Sequence, residues 1–227
     1  MLIRSFERGH VDHGWLNAHH TFSFANYYNP QAMGFRSLRV INHDIVAGRT
    51  GFPTHPHNDM EIITFIIQGE LSHKDTLGNS STIRPHEIQI MSAGTGIAHS
   101  EMNTSNTPTE LLQIWIRPKH SGLKPSYFQK NYSDFPVNNG FKLLASHDGR
   151  AGSARIYQDA DLYLLETNLE LELEVTCKFG HAWIHVLEGS VCVNEIDLNQ
   201  HDSLGLDETN LKIQISQNTK FLLFDLA

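Results

Sequence analysis

Short runs in which apolar and polar side chains alternate recur along most of the chain. They include "TFSFANYY", "SLRVINHDIV", "MEIITFIIQGEL", "HEIQIMSAG" and "ELLQIWIRP", and after residue 140 "FKLLAS", "LYLLE", "LELELEVT", "AWIHVLEGSVCVN", "LKIQIS" and "KFLLFDLA". In "LELELEV" three glutamates separate the apolar positions, which are Leu169, Leu171, Leu173 and Val175. A period of two predicts a strand with one wet face and excludes an amphipathic helix. No helical period of convincing length appears, so the pattern predicts an all-β protein.

The turns between these runs contain Gly, Asn and Asp, which favours an antiparallel sandwich or barrel. Residues 117–140, "RPKHSGLKPSYFQKNYSDFPVNNG", interrupt the strand pattern and predict an interdomain connection. We therefore expect two β domains, residues 1–128 and 129–227. The order strand, Gly, strand, turn, strand occurs in both halves, around Gly69 and Gly189, which is consistent with a duplicated unit.

Composition narrows the functional class. The 227 residues are 40% hydrophobic and 19% charged, with a formal net charge of −8. This balance is typical of a globular protein and argues against direct nucleic-acid binding, which requires a dense basic face. The N-terminal residues lack a signal-peptide pattern, and no run of 18 apolar residues predicts a membrane span. The only cysteines, Cys177 and Cys192, are expected to be reduced, in a cytosolic protein.

Candidate chemistry lies in two short pairs. His55 and His57 stand two apart in "THPHNDMEIITF", and His99 and Glu101 stand two apart in "SAGTGIAHSEMN". With 15 histidines in the chain, about one His-x-His pair is expected by chance, so neither pair is decisive alone. Side chains at i and i+2 of a strand share a face, so neighbouring strands would bring these four together. Glu61 has the same parity as His55 and His57 and remains an alternative carboxylate.

The motif series "HPHNDMEIITF…GELSHKD…SAGTGIAHSEMN" resembles the metal-binding core of the pirin family, which belongs to the cupin superfamily. "HTFSFANYYNP", "LRVINHD" and "LQIWIRP" extend the resemblance over roughly residues 2 to 130. The resemblance implies two tandem cupin (jelly-roll-type) β-barrels with few short helices. It also implies one metal, usually iron, in the N-terminal barrel, held by His55, His57, His99 and Glu101. Glu61 would then have another role. His181 and His185 have no second cluster to meet, so we expect them to be structural or surface histidines.

Imidazoles and one carboxylate, without a thiolate, suit a divalent transition metal with open positions. Fe(II) is the first choice, and Mn, Co, Ni, Cu or Zn are the others. Similarity to bacterial pirins implies a quercetin 2,3-dioxygenase that acts on a flavonol bound to the metal. The catalytic base would be a carboxylate near the metal, and Glu101 is the candidate if it loosens its bond to the metal. Similarity to eukaryotic members implies instead an iron-containing, redox-responsive module that regulates a protein partner. A sugar-modifying cupin is disfavoured because no Lys or Arg adjoins the ligand pairs. We expect a monomer.

Overall fold

The computed structural model describes all 227 residues, Met1–Ala227. Its only helical elements are two single-turn 3₁₀ helices, Ser5–Glu7 and Arg150–Gly152. The strands are, in chain order, β1 (Leu2–Ile3), β2 (Gly9–Asp12), β3 (Leu16–His20), β4 (Leu38–Val46), β5 (Gly51–His57), β6 (Glu61–Gln68), β7 (Leu71–Asp75), β8 (Ser80–Ile83), β9 (Glu87–Ser92), β10 (Ile97–Met102), β11 (Thr109–Ile116), β12 (Ser126–Asn131), β13 (Val137–Asn138), β14 (Phe141–Ser146), β15 (Ala154–Arg155), β16 (Ala160–Thr167), β17 (Leu171–Thr176), β18 (His181–Glu188), β19 (Ser190–Val193), β20 (Ile196–Asn199), β21 (Ser203–Leu206), β22 (Asn210–Ile215) and β23 (Thr219–Leu226). The all-β prediction is confirmed.

The chain forms two compact units. The first unit is Gly9–Asp134 with Ile156–Gln158, and the second unit is Met1–Arg8, Phe135–Arg155 and Asp159–Ala227. This differs from the expected division between residues 128 and 129, which falls inside β12. That strand continues a sheet of the first unit by pairing with β9, and Tyr132 beyond it stacks on Phe65 at 5.9 Å.

The other difference lies at the N-terminus, which was expected to belong to the first domain. Strand β1 pairs with β21, and Leu2 stands opposite Leu204. The Arg4 guanidinium donates to the Asp202 carboxylate at 2.9 Å. Residues 1–8 therefore belong to the second unit, through a pairing that local sequence patterns do not encode.

The first unit consists of two antiparallel sheets. A seven-stranded sheet has the order β12-β9-β6-β11-β4-β3-β2, and a four-stranded sheet has the order β5-β10-β7-β8. One core cluster contains buried residues of both sheets, with Ala18, Val46 and Leu111 from the larger and Leu71 and Ile83 from the smaller. The two sheets therefore pack face to face, as in a jelly roll.

The second unit repeats this arrangement with an eight-stranded sheet and a four-stranded sheet of order β17-β22-β19-β20. Its core also includes residues of both sheets, such as Ile184 and Leu223 from one and Val191 and Ile213 from the other. The "LELELEV" run forms β17 as predicted, except that Leu169 precedes the strand and is 67% exposed.

A shared detail supports duplication of the unit. Gly69 follows β6 and Gly189 follows β18, and both have positive φ angles, +83° and +72°. Each lies against a threonine of the strand that pairs with it, Thr109 or Thr219. An added Cβ would overlap that threonine, which explains why glycine stands at the same point of both halves.

Cys177 and Cys192 form no disulfide. None of the helices is both long and apolar enough to cross a membrane.

Candidate metal centre

The histidine-rich site is built on three adjacent strands of the four-stranded sheet of the first unit. His55 of β5 lies directly opposite His99 of β10. On the other side of β10, His99 faces Asp75 and Glu101 faces His73, both on β7. Directly opposed residues of antiparallel strands point to the same face, so all of these side chains line one side of the sheet.

The structure brings His55, His57 and His99 into one cluster. Their ring centroids are 4.8 Å apart for His55 and His57, 4.5 Å for His55 and His99, and 5.0 Å for His57 and His99. One potential ligand atom of each lies within 4.8 Å of the others. Glu101, the fourth predicted residue, belongs to an overlapping cluster. In it, potential ligand atoms of Glu101, His99 and His73, one from each, also lie within 4.8 Å of one another.

The donor atoms of this cluster fit a metal ion. Nδ1 of His55 lies 2.8 Å from the carbonyl oxygen of Pro53, which can only accept, so Nδ1 carries a hydrogen and Nε2 is the nitrogen that could bind a metal. Nε2 of His99 is buried and has no hydrogen-bond partner. Leaving a buried polar atom unpaired is costly in a folded protein, and a metal ion at this point would satisfy it.

The electrostatics of the cluster also favour metal binding. Burial, with a smaller contribution from His55, lowers the pKa of His57 to about 4. Burial, followed by the neighbouring histidines, lowers the pKa of His99 to about 3. These imidazoles are therefore neutral near pH 7, which is the form that coordinates metals.

Glu101 is almost completely buried, at 2% exposure, and burial raises the pKa of its carboxyl group. Its two oxygens accept hydrogen bonds from Thr64 Oγ1 at 3.1 Å and from Gln113 Nε2 at 2.9 Å. The two donors fix the orientation of the carboxylate on the side of the sheet where the imidazoles converge.

The Glu61 side chain is on the face of the seven-stranded sheet that points away from the histidine cluster. Strand β6 is regular from Glu61 to Phe65, and Thr64, which contacts Glu101, is three positions after Glu61, so the two point to opposite sides. The Glu61 carboxylate accepts instead from Ser92 Oγ at 2.6 Å and from the Tyr157 amide at 3.4 Å. The spacing from His57 to Glu61 does not place the two side chains on a common face, because β5 ends at His57 and β6 belongs to the other sheet.

The opposing wall of the site contains a row of polar residues whose alignment does not show in the sequence. Five polar residues stand in register across five strands of the seven-stranded sheet, in the order His20, Asn42, Gln113, Thr64 and Gln89. All five are at least nine-tenths buried. The available signal was a polar residue in the middle of an apolar strand, such as the threonine of "EIITFII".

Apolar residues complete the surroundings. The Trp115 ring lies edge-on to His57 at 5.0 Å between centroids, and Phe24 lies edge-on to Trp115 at 5.3 Å. Trp115 packs on a buried cluster formed by Ile62, Met91, Ala93 and Ile97. One side of the histidine cluster is therefore aromatic and aliphatic, and the other carries Glu101.

Comparison with known proteins agrees with this architecture. Residues 3–116 match the family described as Pirin, and residues 143–226 match the family described as Quercetinase C-terminal cupin domain. An Escherichia coli protein named Quercetin 2,3-dioxygenase is 44% identical over 230 residues, which cover 99% of this chain and 97% of that protein. A Pirin-like protein from Caulobacter vibrioides is 38% identical, with 96% of each chain covered.

A solved structure has the same fold as this chain. The crystal structure of the bacterial pirin YhhW from Escherichia coli in complex with nickel(II) has a TM-score of 0.94 and 42% identity to this chain. The match covers 100% of this chain and 98% of that one. The tandem cupin architecture expected from the motifs is thus confirmed, and this chain belongs to the pirin family.

Proposed function

We propose that the protein is a metal-dependent dioxygenase that opens a flavonol ring with O₂, with quercetin as the model substrate, at a metal held by His55, His57, His99 and Glu101. The observation that carries the proposal is the convergence of three imidazoles, one of them with an unpartnered buried Nε2, beside a buried carboxylate. The names of the full-length relatives support the reaction class.

The donor set supports one divalent transition metal, and we propose Fe(II). Three imidazoles and a carboxylate suit Fe(II), Mn(II), Co(II), Ni(II) or Cu(II), because these ions accept nitrogen and oxygen donors and more than four ligands. The nickel(II) complex of YhhW supports binding of ions of this class. When bound, the metal would orient a chelating hydroxy-ketone and increase the acidity of its hydroxyl group.

The residues around the site have separate tasks in this proposal. Glu101 takes the proton from the substrate hydroxyl onto a carboxylate oxygen, and Gln113 and Thr64 hold that carboxylate in place. Trp115 and the apolar cluster beside it provide a flat hydrophobic wall, which suits an aromatic substrate with a few polar groups.

The test combines metal analysis with a turnover assay. We expect protein purified without added metal to contain about one equivalent of ion, and the Fe(II)-loaded protein to consume O₂ and quercetin together. Glu101→Gln keeps the side-chain size but removes the base, so turnover should fall at least about 100-fold. Glu61→Gln is the matched control, because it changes a buried carboxyl group on the other face of β6 and should keep both metal and turnover.

Two outcomes would contradict the proposal. Wild-type protein that carries one iron but consumes no flavonol would favour the redox-responsive binding module. Metal loss in Glu61→Gln together with metal retention in Glu101→Gln would reverse the assignment of the carboxylate ligand.

A further inference from the structure

Asp75 is a buried carboxylate surrounded by hydrogen-bond donors. Its Oδ1 accepts from the backbone amides of Leu77 at 2.9 Å and Asn79 at 3.0 Å. Its Oδ2 accepts from the side-chain amide of Asn79 at 2.8 Å and lies 3.0 Å from Nε2 of His73. Because every other partner donates, the group is an acceptor throughout, and Nε2 of His73 therefore carries a hydrogen.

For a neutral His73 imidazole, this assignment also determines the state of the other nitrogen. A neutral imidazole with a hydrogen on Nε2 has a lone pair on Nδ1. That Nδ1 lies 3.4 Å from Nδ1 of His99, so His99 donates across the gap from its own Nδ1. The remaining nitrogen of His99, Nε2, then keeps its lone pair, and it is the buried atom that has no hydrogen-bond partner.

We propose that Asp75 and His73 are positioning residues that act on the metal through His99. In this relay, Asp75 orients His73, and His73 fixes the tautomer and ring orientation of His99 so that Nε2 faces the metal. The inference rests on the proposed metal site. Outer hydrogen-bond partners of this kind also increase the basicity of a ligand imidazole.

The same reasoning assigns His73 a role other than that of a ligand. His73, His99 and Glu101 form a cluster with metal-ligand spacing, but both nitrogens of His73 are already engaged, one by Asp75 and one by His99. The Tyr127 ring packs against His73, with 4.9 Å between centroids. Of the two overlapping clusters, the one with His55 and His57 therefore receives the metal.

His55 is oriented differently, by one hydrogen bond to a backbone carbonyl group. Nδ1 of His55 donates to the Pro53 carbonyl oxygen, a neutral acceptor on the half-exposed edge of the site. Only His99 has a chain of two buried side chains that ends in a carboxylate. We therefore expect His99 to be the imidazole whose orientation depends most on other residues.

Asp75→Asn is the sharpest test, because it is nearly isosteric and its oxygen can still accept from the backbone amides of Leu77 and Asn79, although the side-chain amide of Asn79 loses its acceptor. Its new amide donates to His73 and reverses the direction of hydrogen bonding, so His99 is left with the hydrogen on Nε2. We expect the affinity for Co(II) or Ni(II), measured by competition with a chelator, to fall about 10- to 100-fold. His73→Phe keeps the ring volume against Tyr127 and should cause a loss in the same range.

Nitrogen NMR of ¹⁵N-histidine-labelled, metal-free protein provides a readout that does not depend on turnover. The wild type should show His99 with its hydrogen on Nδ1, and Asp75→Asn should show it on Nε2. His185→Phe is the control, since His185 is a buried histidine of the second unit, bonded to Ser203, and its loss should leave metal affinity unchanged.

The outcomes separate this inference from the proposed function. Metal affinity of Asp75→Asn within about threefold of wild type, or a wild-type His99 with its hydrogen on Nε2, would overturn the relay. If the relay variants weaken metal binding but the wild type does not consume quercetin, the relay stands and the dioxygenase proposal fails. A wild-type protein that binds no divalent metal would overturn both.

Discussion

At the scale of single residues, Glu61 shows how burial alone raises the pKa of a carboxyl group. It is fully buried on the face of β6 that points away from the histidines. Desolvation raises its pKa to about 7 from an ordinary value of 4.5, and the hydrogen bonds from Ser92 and Tyr157 offset only part of that effect. The folded protein therefore binds this proton more tightly than the unfolded chain does.

The pH dependence of stability follows from that shift. The favourable contribution of protonated Glu61 is complete below pH 4.5 and is lost as the pH rises through about 7. Glu61→Gln has no proton to lose, so relative to wild type it should gain up to about 3 kcal/mol of unfolding free energy between about pH 5 and pH 8. Thermal melts of both metal-free proteins at the two pH values would measure this. Parallel changes in the two proteins would contradict the shift.

The contrast between Glu61 and Glu101 also shows what the sequence can reveal at this scale. The spacing His55-x-His57 and His99-x-Glu101 predicts which side chains share a face, because a strand alternates regularly. It does not reveal that Asp59 adopts a positive φ of 46° between β5 and β6. After that turn Glu61 lies in another sheet, so the number of positions from His57 does not tell which way its side chain points.

At the scale of elements, the pairing of β5 with β10 sets the geometry of the site. Gly51 of β5 lies so close to β10 that an added Cβ would overlap the carbonyl oxygen of Glu101 and crowd Met102. A register shift between His99 and Glu101 places this close approach beside the proposed ligand residues. The two residue pairs were expected on neighbouring strands, but the register shift and the contact at Gly51 depend on which strands become neighbours.

Gly51→Ala should therefore push β5 away from β10 and weaken metal binding by roughly tenfold or more. Gly189→Ala is the matched control, because its Cβ would overlap Thr219 in the second unit. Both variants should lower the melting temperature, but only Gly51→Ala should lower the affinity for Co(II). Equal metal affinity in the two variants would mean that the β5–β10 distance does not control the site.

At the scale of the whole molecule, the two units share an architecture but not a metal cluster. Ala182, Ile184 and Val186 of β18 face the core of the second unit, so His181 and His185, which alternate with them, point to the other side of the sheet. His181 lies 3.1 Å from Asp207, and His185 Nδ1 lies 2.7 Å from Ser203 Oγ. Both histidines therefore have structural partners.

His181→Ala and His185→Ala should leave the metal content at about one equivalent, because the proposed site lies wholly in the first unit. His185→Ala removes a buried hydrogen-bonding side chain and should cost about 1–3 kcal/mol of stability. Metal analysis together with thermal melts checks both statements. Loss of the bound ion in either variant would contradict a single site in the first unit.

The fold class was predictable at this scale, whereas the limits of the units were not. Regular alternation with Gly and Asn turns leaves few architectures other than a sandwich or barrel. The assignment of β1 to the sheet of β21, and of β12 to the sheet of β9, depends on contacts between distant parts of the chain. Aromatic residues of the 117–140 segment, such as Tyr132, are typical of chain that packs on a neighbour, but the residue type does not identify that neighbour.

Strand β5, which contains His55 and His57, is the outermost strand of its sheet. Its Pro53 and Pro56 lack amide hydrogens, so this edge is a poor template for a strand of another molecule. Edge strands fray more readily than inner ones, and an ion shared between β5 and β10 would hold this edge closed. Escape of the ion would then require only the brief detachment of one strand, and its residence time would be set by local fraying and not by unfolding of the barrel.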